Sequence, residues 1–289
     1  MNRRRFLGQG ALGLSGATFW SCGNEKNLEE GKSLLDKEKV SGYLLNNSRF
    51  RFGFQSYSLR HFVDTSTFAI ETEKLGLSFV EVYKGHLSID SSDEKITTFK
   101  QVLDKIKVKI NAFGVEVFNA NHTTNEKIFQ FGQKLGIENL SADPTKDSFD
   151  SLQKLVRQYN IRIAIHNHGP EDDRWQRPEW ILESVKNLDP RIGACVDTGH
   201  YLRADVDPVE AIRMLGSRVL GVHLKDFDAS SKEQVLGQGQ LNLTNVFRAL
   251  LDVGFDGVLS LEYEEHKENP VPHMWKGMKA ISEALKQIS

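Results

Sequence analysis

Apolar runs alternate with amphipathic stretches along the chain from residue 50 onward, and this alternation predicts strands separated by helices. The apolar runs that predict strands cover residues 50–55, 77–83, 110–118, 137–142, 161–166, 192–197, 219–224 and 258–263. The amphipathic stretches that predict helices cover residues 65–75, 93–107, 124–135, 147–159, 178–187, 207–215, 243–253 and 274–287. Eight strands, each followed by a helix, predict a single-domain (β/α)8 TIM barrel over residues 49–289, with an open doubly wound sheet as the alternative.

Glycines support the predicted helix ends. Gly76, Gly136, Gly216 and Gly254 each lie just past a predicted helix and before the next strand, where a left-handed residue commonly ends a helix. The first strand leads into "FGFQSYSLRHF", which lacks the glycine-rich phosphate fingerprint of a doubly wound sheet. Because active sites of TIM barrels lie at the carboxyl ends of the strands, the chemistry is expected there.

Composition and charge narrow the class of partner. The 289 residues are 39% hydrophobic and 26% charged, and 37 basic residues nearly balance 39 acidic ones. No global field exists to hold a polyanion, so a nucleic-acid partner is not expected and a small-molecule substrate is favoured. Only two cysteines occur, Cys22 and Cys195, so no intramolecular disulfide is expected if Cys22 is modified or removed.

The N-terminus has the pattern of an export signal. "RRRFL" at residues 3–7 resembles the twin-arginine signal, and the apolar run that follows is too short to span a bilayer. "FWSC" at residues 19–22 resembles a bacterial lipoprotein box, which implies lipidation of Cys22. We therefore expect a signal peptide over residues 1–22, a polar linker over 23–48, and an exported, periplasmic bacterial protein held at the membrane only through a lipid anchor. The alternatives are cleavage without lipidation and a basic cytoplasmic N-terminus.

Four consecutive predicted strands end in ionisable residues: His166, Asp197, His223 and Glu262. Inward side chains at similar depth converge in a barrel, so these residues are expected to form one set of two imidazoles and two carboxylates. Such a mixed set suits one divalent ion, Mn²⁺, Zn²⁺, Co²⁺ or Fe²⁺, with a hydrogen-bonded polar cluster as the alternative. His168 lies on the same strand face as His166, and matching of depth assigns it to the layer above, among substrate hydroxyls.

"CVDTGH", "GVHLKDF" and "LSLEYE" together resemble motifs of the xylose isomerase-like sugar isomerase/epimerase superfamily, over roughly residues 50 to 288. Members include ketose 3-epimerases, inosose dehydratases, dehydroshikimate dehydratases and, more distantly, endonuclease IV. The resemblance implies a divalent metal held by Glu, Asp, His and Glu on strands 5 to 8. The last three match Asp197, His223 and Glu262, whereas the first position holds His166.

The substitution at residue 166 bears on the acid/base chemistry that the resemblance implies. In ketose 3-epimerases two metal-bound glutamates exchange protons on opposite faces of the substrate, and here one of them is replaced. A metal-bound imidazole has no lone pair left to act as a base. Glu262, His168, His200 and Lys225 are therefore the candidate acid/base groups. Lys225 is also placed to stabilise an enolate oxygen, with a salt bridge to Glu264 as the alternative.

Other residues near the predicted strand ends are candidates for binding the substrate. Glu81 and His86 follow strand 2, and Asn119 follows strand 3, where their polar groups are expected to bind hydroxyls. Trp175 follows strand 5 and offers a face on which a sugar ring could stack. Packing beneath the loops is the alternative role for this tryptophan.

Four functions are weighed. The first is a metal-dependent sugar isomerase or epimerase that removes a proton next to a carbonyl of a sugar or keto-sugar. The second is a lyase or dehydratase acting on a keto-sugar or 3-keto-glycoside through the same first step, which the histidine at 166 favours slightly. The third is a non-catalytic sugar-binding lipoprotein, and the fourth, the least favoured, is an endonuclease.

Overall fold

The computed structural model describes residues 36–37 and 39–288, and the segment from Val40 onward forms one compact unit. The predicted signal peptide, Cys22 and the first part of the predicted linker lie outside the described residues. Residues 40–45, which also belong to the predicted linker, are helical, and Leu44 packs into the hydrophobic core. Ser41 Oγ donates a hydrogen bond to Gly76 O at 2.7 Å, so the folded unit begins before residue 49.

Eight parallel strands close into a barrel, which confirms the predicted fold. The strands are β1 Arg51–Gln55, β2 Phe79–Val82, β3 Lys109–Phe118, β4 Asn139–Pro144, β5 Arg162–His166, β6 Ile192–Asp197, β7 Val219–Leu224 and β8 Val258–Leu261. Their order around the barrel follows the chain, and β1 pairs with both β2 and β8. The carboxyl ends of all eight strands therefore face one mouth.

Helices surround the barrel. They are α1 Thr65–Leu75, α2 Asp93–Lys105, α3 His122–Leu135, α4 Phe149–Tyr159, α5 Pro178–Val185, α6 Thr198–Arg203, α7 Pro208–Leu215, α8 Leu243–Asp252 and α9 Val271–Lys286. Buried Phe, Leu, Ile and Val side chains between the helices and the strands form one continuous core. Among the described residues, none of these helices combines the length and apolar character that a membrane crossing requires.

Local sequence explains where the helices begin and end. The Asp64 side chain accepts hydrogen bonds from two backbone amides at the start of α1, and the Asn121 side chain caps α3 by accepting from the Thr124 amide. Gly76 and Gly136 end these helices with φ of 63° and 74°, a region that glycine enters without steric cost. The cap at Asn121 also makes α3 begin two residues earlier than predicted.

Two elements at the mouth were not predicted. Helix α6 begins directly after β6, and a short antiparallel hairpin, Asp226–Phe227 with Glu233–Gln234, follows β7. Gly199 lies inside α6, and a Cβ there would approach the ring of Phe227 to 2.8 Å. The glycine therefore allows close packing of α6 on the hairpin.

Candidate functional site

Four buried side chains converge at the mouth of the barrel. His166, Asp197, His223 and Glu262 each offer one ligand atom, and these atoms lie within 4.8 Å of one another. His166 Nε2 lies 3.1 Å from His223 Nδ1 and 3.5 Å from Asp197 Oδ2, and His223 Nδ1 lies 3.1 Å from Glu262 Oε2. The structure thus brings together the four residues that depth matching selects, and His168 is not among them.

The register of the strands explains this convergence. Asp197 on β6 is directly paired with His223 on β7, and His166 is the last residue of β5. Cys195 and Gly221 are paired two residues before Asp197 and His223. A Cβ at Gly221 would sit 3.3 Å from Cys195 Sγ, so there is little room for a larger residue. Because inward positions recur at every second residue, Asp197 and His223 lie one level above this pair.

Two carboxylate oxygens in this cluster lack a hydrogen-bond donor. Asp197 Oδ2 and Glu262 Oε2 are fully buried without a hydrogen-bond partner. Asp197 Oδ1 accepts from the backbone amide of His200 at 2.7 Å, which orients the second oxygen toward the cluster. Buried carboxylate oxygens without partners are costly, so a cation between the four ligand atoms would satisfy them. The donor set therefore fits a divalent metal ion.

Neighbouring residues hold the cluster in place. Glu81 Oε2 lies 3.0 Å from His223 Nε2, and Glu81 Oε1 accepts a hydrogen bond from Gln55 Nε2 at 3.0 Å. Asn167 is fully buried and pairs with both backbone groups of Asp197, at 2.8 and 3.0 Å. A carboxylate behind a histidine is the arrangement that fixes the ring of a metal ligand.

Opposing charges shift the pKa values inside the cluster. Burial raises the pKa of Glu262, but the charges of Lys225 and His223 outweigh it and lower the pKa to about 2. Burial lowers the pKa of His223, but neighbouring Cys195 and Glu81 outweigh it and hold the pKa well above its ordinary value. The pKa of His166 is lowered, chiefly by burial. Anionic carboxylates and a neutral His166 are the forms that bind a metal.

Two further histidines lie beside the cluster. The ring of His168 lies 4.8 Å from the ring of His166, and the ring of His200 lies 5.7 Å from it, between centroids. His168 Nδ1 lies 3.3 Å from Asp172 Oδ2, and His200 Nδ1 lies 3.1 Å from Arg203 Nη1. Burial is the main cause that lowers the pKa of His200, to about 3.

Lys225 is buried at the end of β7, beside the cluster. Its Nζ contacts Glu264 Oε1 and lies 4.0 Å from Glu262 Oε1, so the alternative salt bridge with Glu264 is present. Glu233 on the hairpin accepts a hydrogen bond from the Glu264 backbone amide at 2.9 Å. Burial raises the pKa of Glu233 to about 8. Sequence reasoning missed Glu233, because the hairpin that carries it lacks an apolar run.

Two of the candidate substrate-binding residues, His86 and Trp175, are held by other parts of the protein. Both nitrogens of His86 are engaged, by Ser56 Oγ at 3.1 Å and Leu59 O at 3.2 Å, and its ring stacks on Phe68. Trp175 is fully buried, and its Nε1 donates to Pro144 O at 3.0 Å. Neither side chain is available to a ligand, so these contacts are structural, and the packing alternative holds for Trp175.

Glu81 and Asn119 also make hydrogen bonds within the protein. Both carboxylate oxygens of Glu81 are engaged by Gln55 and His223, so its role is to orient His223. Asn119 is exposed at the end of β3, where its Oδ1 accepts from the Asn121 amide at 2.8 Å in the turn before α3. None of the four residues predicted to bind substrate faces the cluster with a free polar group.

The glycine-rich loop after β7 is organised by a carboxylate that the sequence did not single out. Buried Asp226 accepts hydrogen bonds from the backbone amides of Gly237, Gly239 and Leu241, each at 2.9 Å. These three amides are therefore occupied by a side chain of the protein itself. The loop supports the hairpin beside Lys225.

A family model described as "Xylose isomerase-like TIM barrel" matches residues 70–287. Among curated proteins, an inosose dehydratase of Clostridium tetani is 26% identical over 155 residues, which are 46% of this chain and 51% of that protein. An uncharacterised protein of Methanocaldococcus jannaschii is 30% identical over 124 residues, 40% of this chain and 42% of that protein. The chain thus spans about half the length of these two curated relatives, or less.

Solved structures share the fold. A D-tagatose 3-epimerase-like protein matches with a TM-score of 0.67 at 18% identity, over 83% of this chain and 100% of that chain. At these identities the likeness concerns the architecture of the barrel.

Proposed function

The protein belongs to the xylose isomerase-like TIM-barrel family, and we propose that it is a divalent-metal-dependent enzyme that removes a proton next to the carbonyl of a sugar or keto-sugar. The observation that carries the proposal is the buried set of His166, Asp197, His223 and Glu262, with unpartnered oxygens on Asp197 and Glu262. The expected default outcome is isomerisation or epimerisation. The names of an inosose dehydratase and a 3-epimerase-like protein among the similar proteins support a sugar or cyclic polyol substrate.

The four residues would hold one ion of Mn²⁺, Zn²⁺, Co²⁺ or Fe²⁺ through two imidazole nitrogens and two carboxylate oxygens. When bound, such an ion polarises a carbonyl and an adjacent hydroxyl and so makes the neighbouring C–H more acidic. The protein's own contribution is to hold the substrate carbon near a proton acceptor and to exclude water. The burial of the four ligands supports that arrangement.

The acid/base groups proposed around the metal are those that the metal leaves free. His168 and His200 lie on the β5 and β6 side, and Lys225 lies on the β7 side. Lys225 is paired with Glu264, and its buried ammonium suits stabilisation of negative charge on a substrate oxygen. His168 is half-buried and can reach a substrate that occupies the mouth. Glu262 is the remaining candidate, through the oxygen that does not bind the metal.

A lyase or dehydratase outcome is the second candidate, and His166 is the observation that favours it. With a histidine at this position, only one glutamate lies in the metal cluster, so the two-carboxylate exchange of a 3-epimerase lacks one partner. The same enolate that is reprotonated in an epimerase can instead lose a hydroxyl or a glycosidic oxygen from its β-carbon. The name of the inosose dehydratase relative agrees with that outcome.

Deuterium exchange separates these outcomes. The Mn²⁺-loaded protein is incubated in D₂O with a panel of free ketoses, inososes and 3-keto-glycosides, and recovered sugars are analysed by NMR and mass spectrometry. Deuterium in an otherwise intact sugar supports an isomerase or epimerase, and a dehydrated or cleaved product supports a lyase. Asp197→Asn is expected to abolish either reaction, whereas Asp173→Asn, at an exposed site, is the matched control. Binding of a sugar without exchange or cleavage, retained in Asp197→Asn, would instead indicate a sugar-binding protein.

We also propose that the protein is exported and anchored through a lipid on Cys22, as the N-terminal sequence indicates. Detergent phase partitioning tests this proposal. The wild-type protein, expressed with its N-terminus in a bacterium with twin-arginine export, is expected in the detergent phase, and Cys22→Ser in the aqueous phase. Partitioning of both proteins into the aqueous phase would contradict lipidation.

A further inference from the structure

The two histidines beside the metal cluster have different partners on the same ring atom. Asp172 Oδ2 faces Nδ1 of His168 at 3.3 Å, whereas Arg203 Nη1 faces Nδ1 of His200 at 3.1 Å. An ionised carboxylate only accepts hydrogen bonds, and a guanidinium only donates them. Nδ1 of His168 must therefore donate, and Nδ1 of His200 must accept.

This difference fixes two opposite tautomers when both rings are neutral. His168 carries its proton on Nδ1, so its Nε2 keeps a lone pair. His200 carries its proton on Nε2, and that nitrogen lies 4.0 Å from Asp197 Oδ2, on the side of the cluster. One ring thus offers an acceptor and the other a donor, with ring centroids 5.8 Å apart.

Asp172 and Arg203 are themselves oriented by further hydrogen bonds. Asp172 Oδ1 accepts a hydrogen bond from the backbone amide of Arg174 at 2.9 Å, which leaves Oδ2 for His168. Arg203 Nη2 donates to both carboxylate oxygens of Glu171, at 2.9 and 3.0 Å, which orients Nη1 toward His200. Two planar hydrogen bonds of this kind restrict the guanidinium more than a single contact does.

We infer that Asp172 and Arg203 are positioning residues that make His168 Nε2 the proton acceptor and His200 Nε2–H the neutral hydrogen-bond donor of the reaction. The inference rests on the proposed function and assigns roles that the four metal-ligand candidates do not fill. In the step, the C–H bond breaks, an N–H bond forms at His168 Nε2, and the electron pair enters the enolate. His200 donates a hydrogen bond to the enolate oxygen without losing its proton.

The proton then leaves His168 by one of two routes. Return to the neighbouring carbon, with transfer of the hydroxyl proton from one enediol oxygen to the other, completes an isomerisation, and transfer to the departing oxygen of a β-substituent completes an elimination. Either route restores the neutral ring, and no other reactant is required. His200 remains neutral throughout, so its contribution does not require an imidazolium.

Histidine ¹⁵N NMR tests the tautomers independently of activity. Two-bond ¹H–¹⁵N correlation spectra of ¹⁵N-histidine protein, at pH 8.5 with and without one equivalent of Zn²⁺, distinguish the tautomers, and His168→Gln and His200→Gln assign the signals. We expect Nδ1–H for His168 and Nε2–H for His200. In Asp172→Asn an amide can donate to Nδ1, so His168 should switch to Nε2–H. Asp173→Asn is the control and should not change it.

Arg203 has its own variants. Arg203→Met should remove the preference of His200 for Nε2–H, Arg203→Lys should retain it, and Arg213→Met on α7 should have no effect. In deuterium exchange, Asp172→Asn should slow the reaction on the order of a hundredfold, as expected for loss of a general base, with KM little changed. Asp173→Asn should stay within about twofold, since it loses no such contribution.

The outcomes separate the two proposals. His168 with Nε2–H in the wild type, an unchanged tautomer in Asp172→Asn, or an unchanged exchange rate in that variant would overturn the inference while metal-dependent exchange continues. Absence of exchange with every sugar in the panel would overturn the proposed function, and the NMR tautomers would still decide which hydrogen bonds the two rings make.

Discussion

Glu81 offers a sensitive test of how the protein holds His223. Both of its carboxylate oxygens accept from fixed donors, Gln55 Nε2 on one side and His223 Nε2 on the other, each at 3.0 Å. Gln55 cannot reverse its amide freely, because its Oε1 accepts from the Tyr57 backbone amide at 3.1 Å. In Glu81→Gln one oxygen becomes an NH₂ group, so one of the two donors must face another donor.

The expected loss can be estimated from this geometry. A buried hydrogen bond to a charged group contributes about 1.5–3 kcal/mol, which corresponds to a factor of about 10 to 150 in an equilibrium constant. Loss of a group that orients a metal ligand typically lowers metal affinity about 10- to 100-fold. Glu81→Gln is therefore expected to weaken Mn²⁺ binding by about one to two orders of magnitude.

Isothermal titration with Mn²⁺, with a competing chelator for tight binding, measures this loss. Glu116→Gln on β3 is the matched control, because Glu116 is a half-buried carboxylate that makes no hydrogen bond to the cluster within the described part of the chain. Circular dichroism checks that both variants are folded. An affinity of folded Glu81→Gln within about twofold of wild type would refute the orienting role of Glu81, since the loss of an orienting group predicts at least tenfold.

Three further predictions concern stability. Trp175→Ala should lower the free energy of unfolding by about 3–5 kcal/mol by opening a cavity, and Mn²⁺ affinity should not change. A large loss of Mn²⁺ affinity would instead indicate that Trp175 contributes to the metal site. Burial raises the pKa of Glu233 to about 8, so its neutral form stabilises the folded protein at low pH. This stability is lost as the pH rises from the ordinary pKa of a glutamate toward 8. Glu233→Gln should therefore flatten the decline of the melting temperature between pH 5 and 9, and an unchanged slope would count against this burial. Burial lowers the pKa of His86 to about 4, so stability falls as pH decreases from about 6.5 toward 4. His86→Gln should remove that part of the acid dependence in urea unfolding, and an equally steep dependence would contradict it.

The barrel could be predicted because its signal is local and repeated. Apolar runs, helix caps and left-handed glycines such as Gly76 and Gly136 recur along the chain, and each is sufficient to mark the end of an element. The short elements at the mouth carry no such signal. The hairpin strands are two residues long. Hydrogen bonds from the Gly237 and Leu241 amides to the Asp226 side chain hold them, and these residues are more than ten positions apart in the sequence.

The convergence of the four cluster residues was also predictable, whereas the groups around them were not. A period of two fixes which strand residues face inward, so His166 and Asp197 could be matched by depth. The contact of Glu81 with His223 joins residues 142 positions apart, and no sequence pattern specifies it. His86 and Trp175 have the chemistry of sugar-binding groups, but their polar atoms are used by neighbouring backbone and side chains. Asp172 and Arg203 lie in a loop and a short helix whose positions depend on tertiary packing.

The metal content of the purified protein tests whether His166, Asp197, His223 and Glu262 bind one divalent ion. Purified protein is equilibrated with Mn²⁺, Co²⁺ or Zn²⁺, freed of excess ion, and analysed for metal by mass spectrometry. We expect one ion for each wild-type and Asp172→Asn chain. Asp197→Asn and His223→Gln variants that remain folded should lose that ion. Wild-type protein that retains none of the three metals, or an Asp197→Asn variant that retains as much metal as wild type, would contradict metal binding by the four clustered residues.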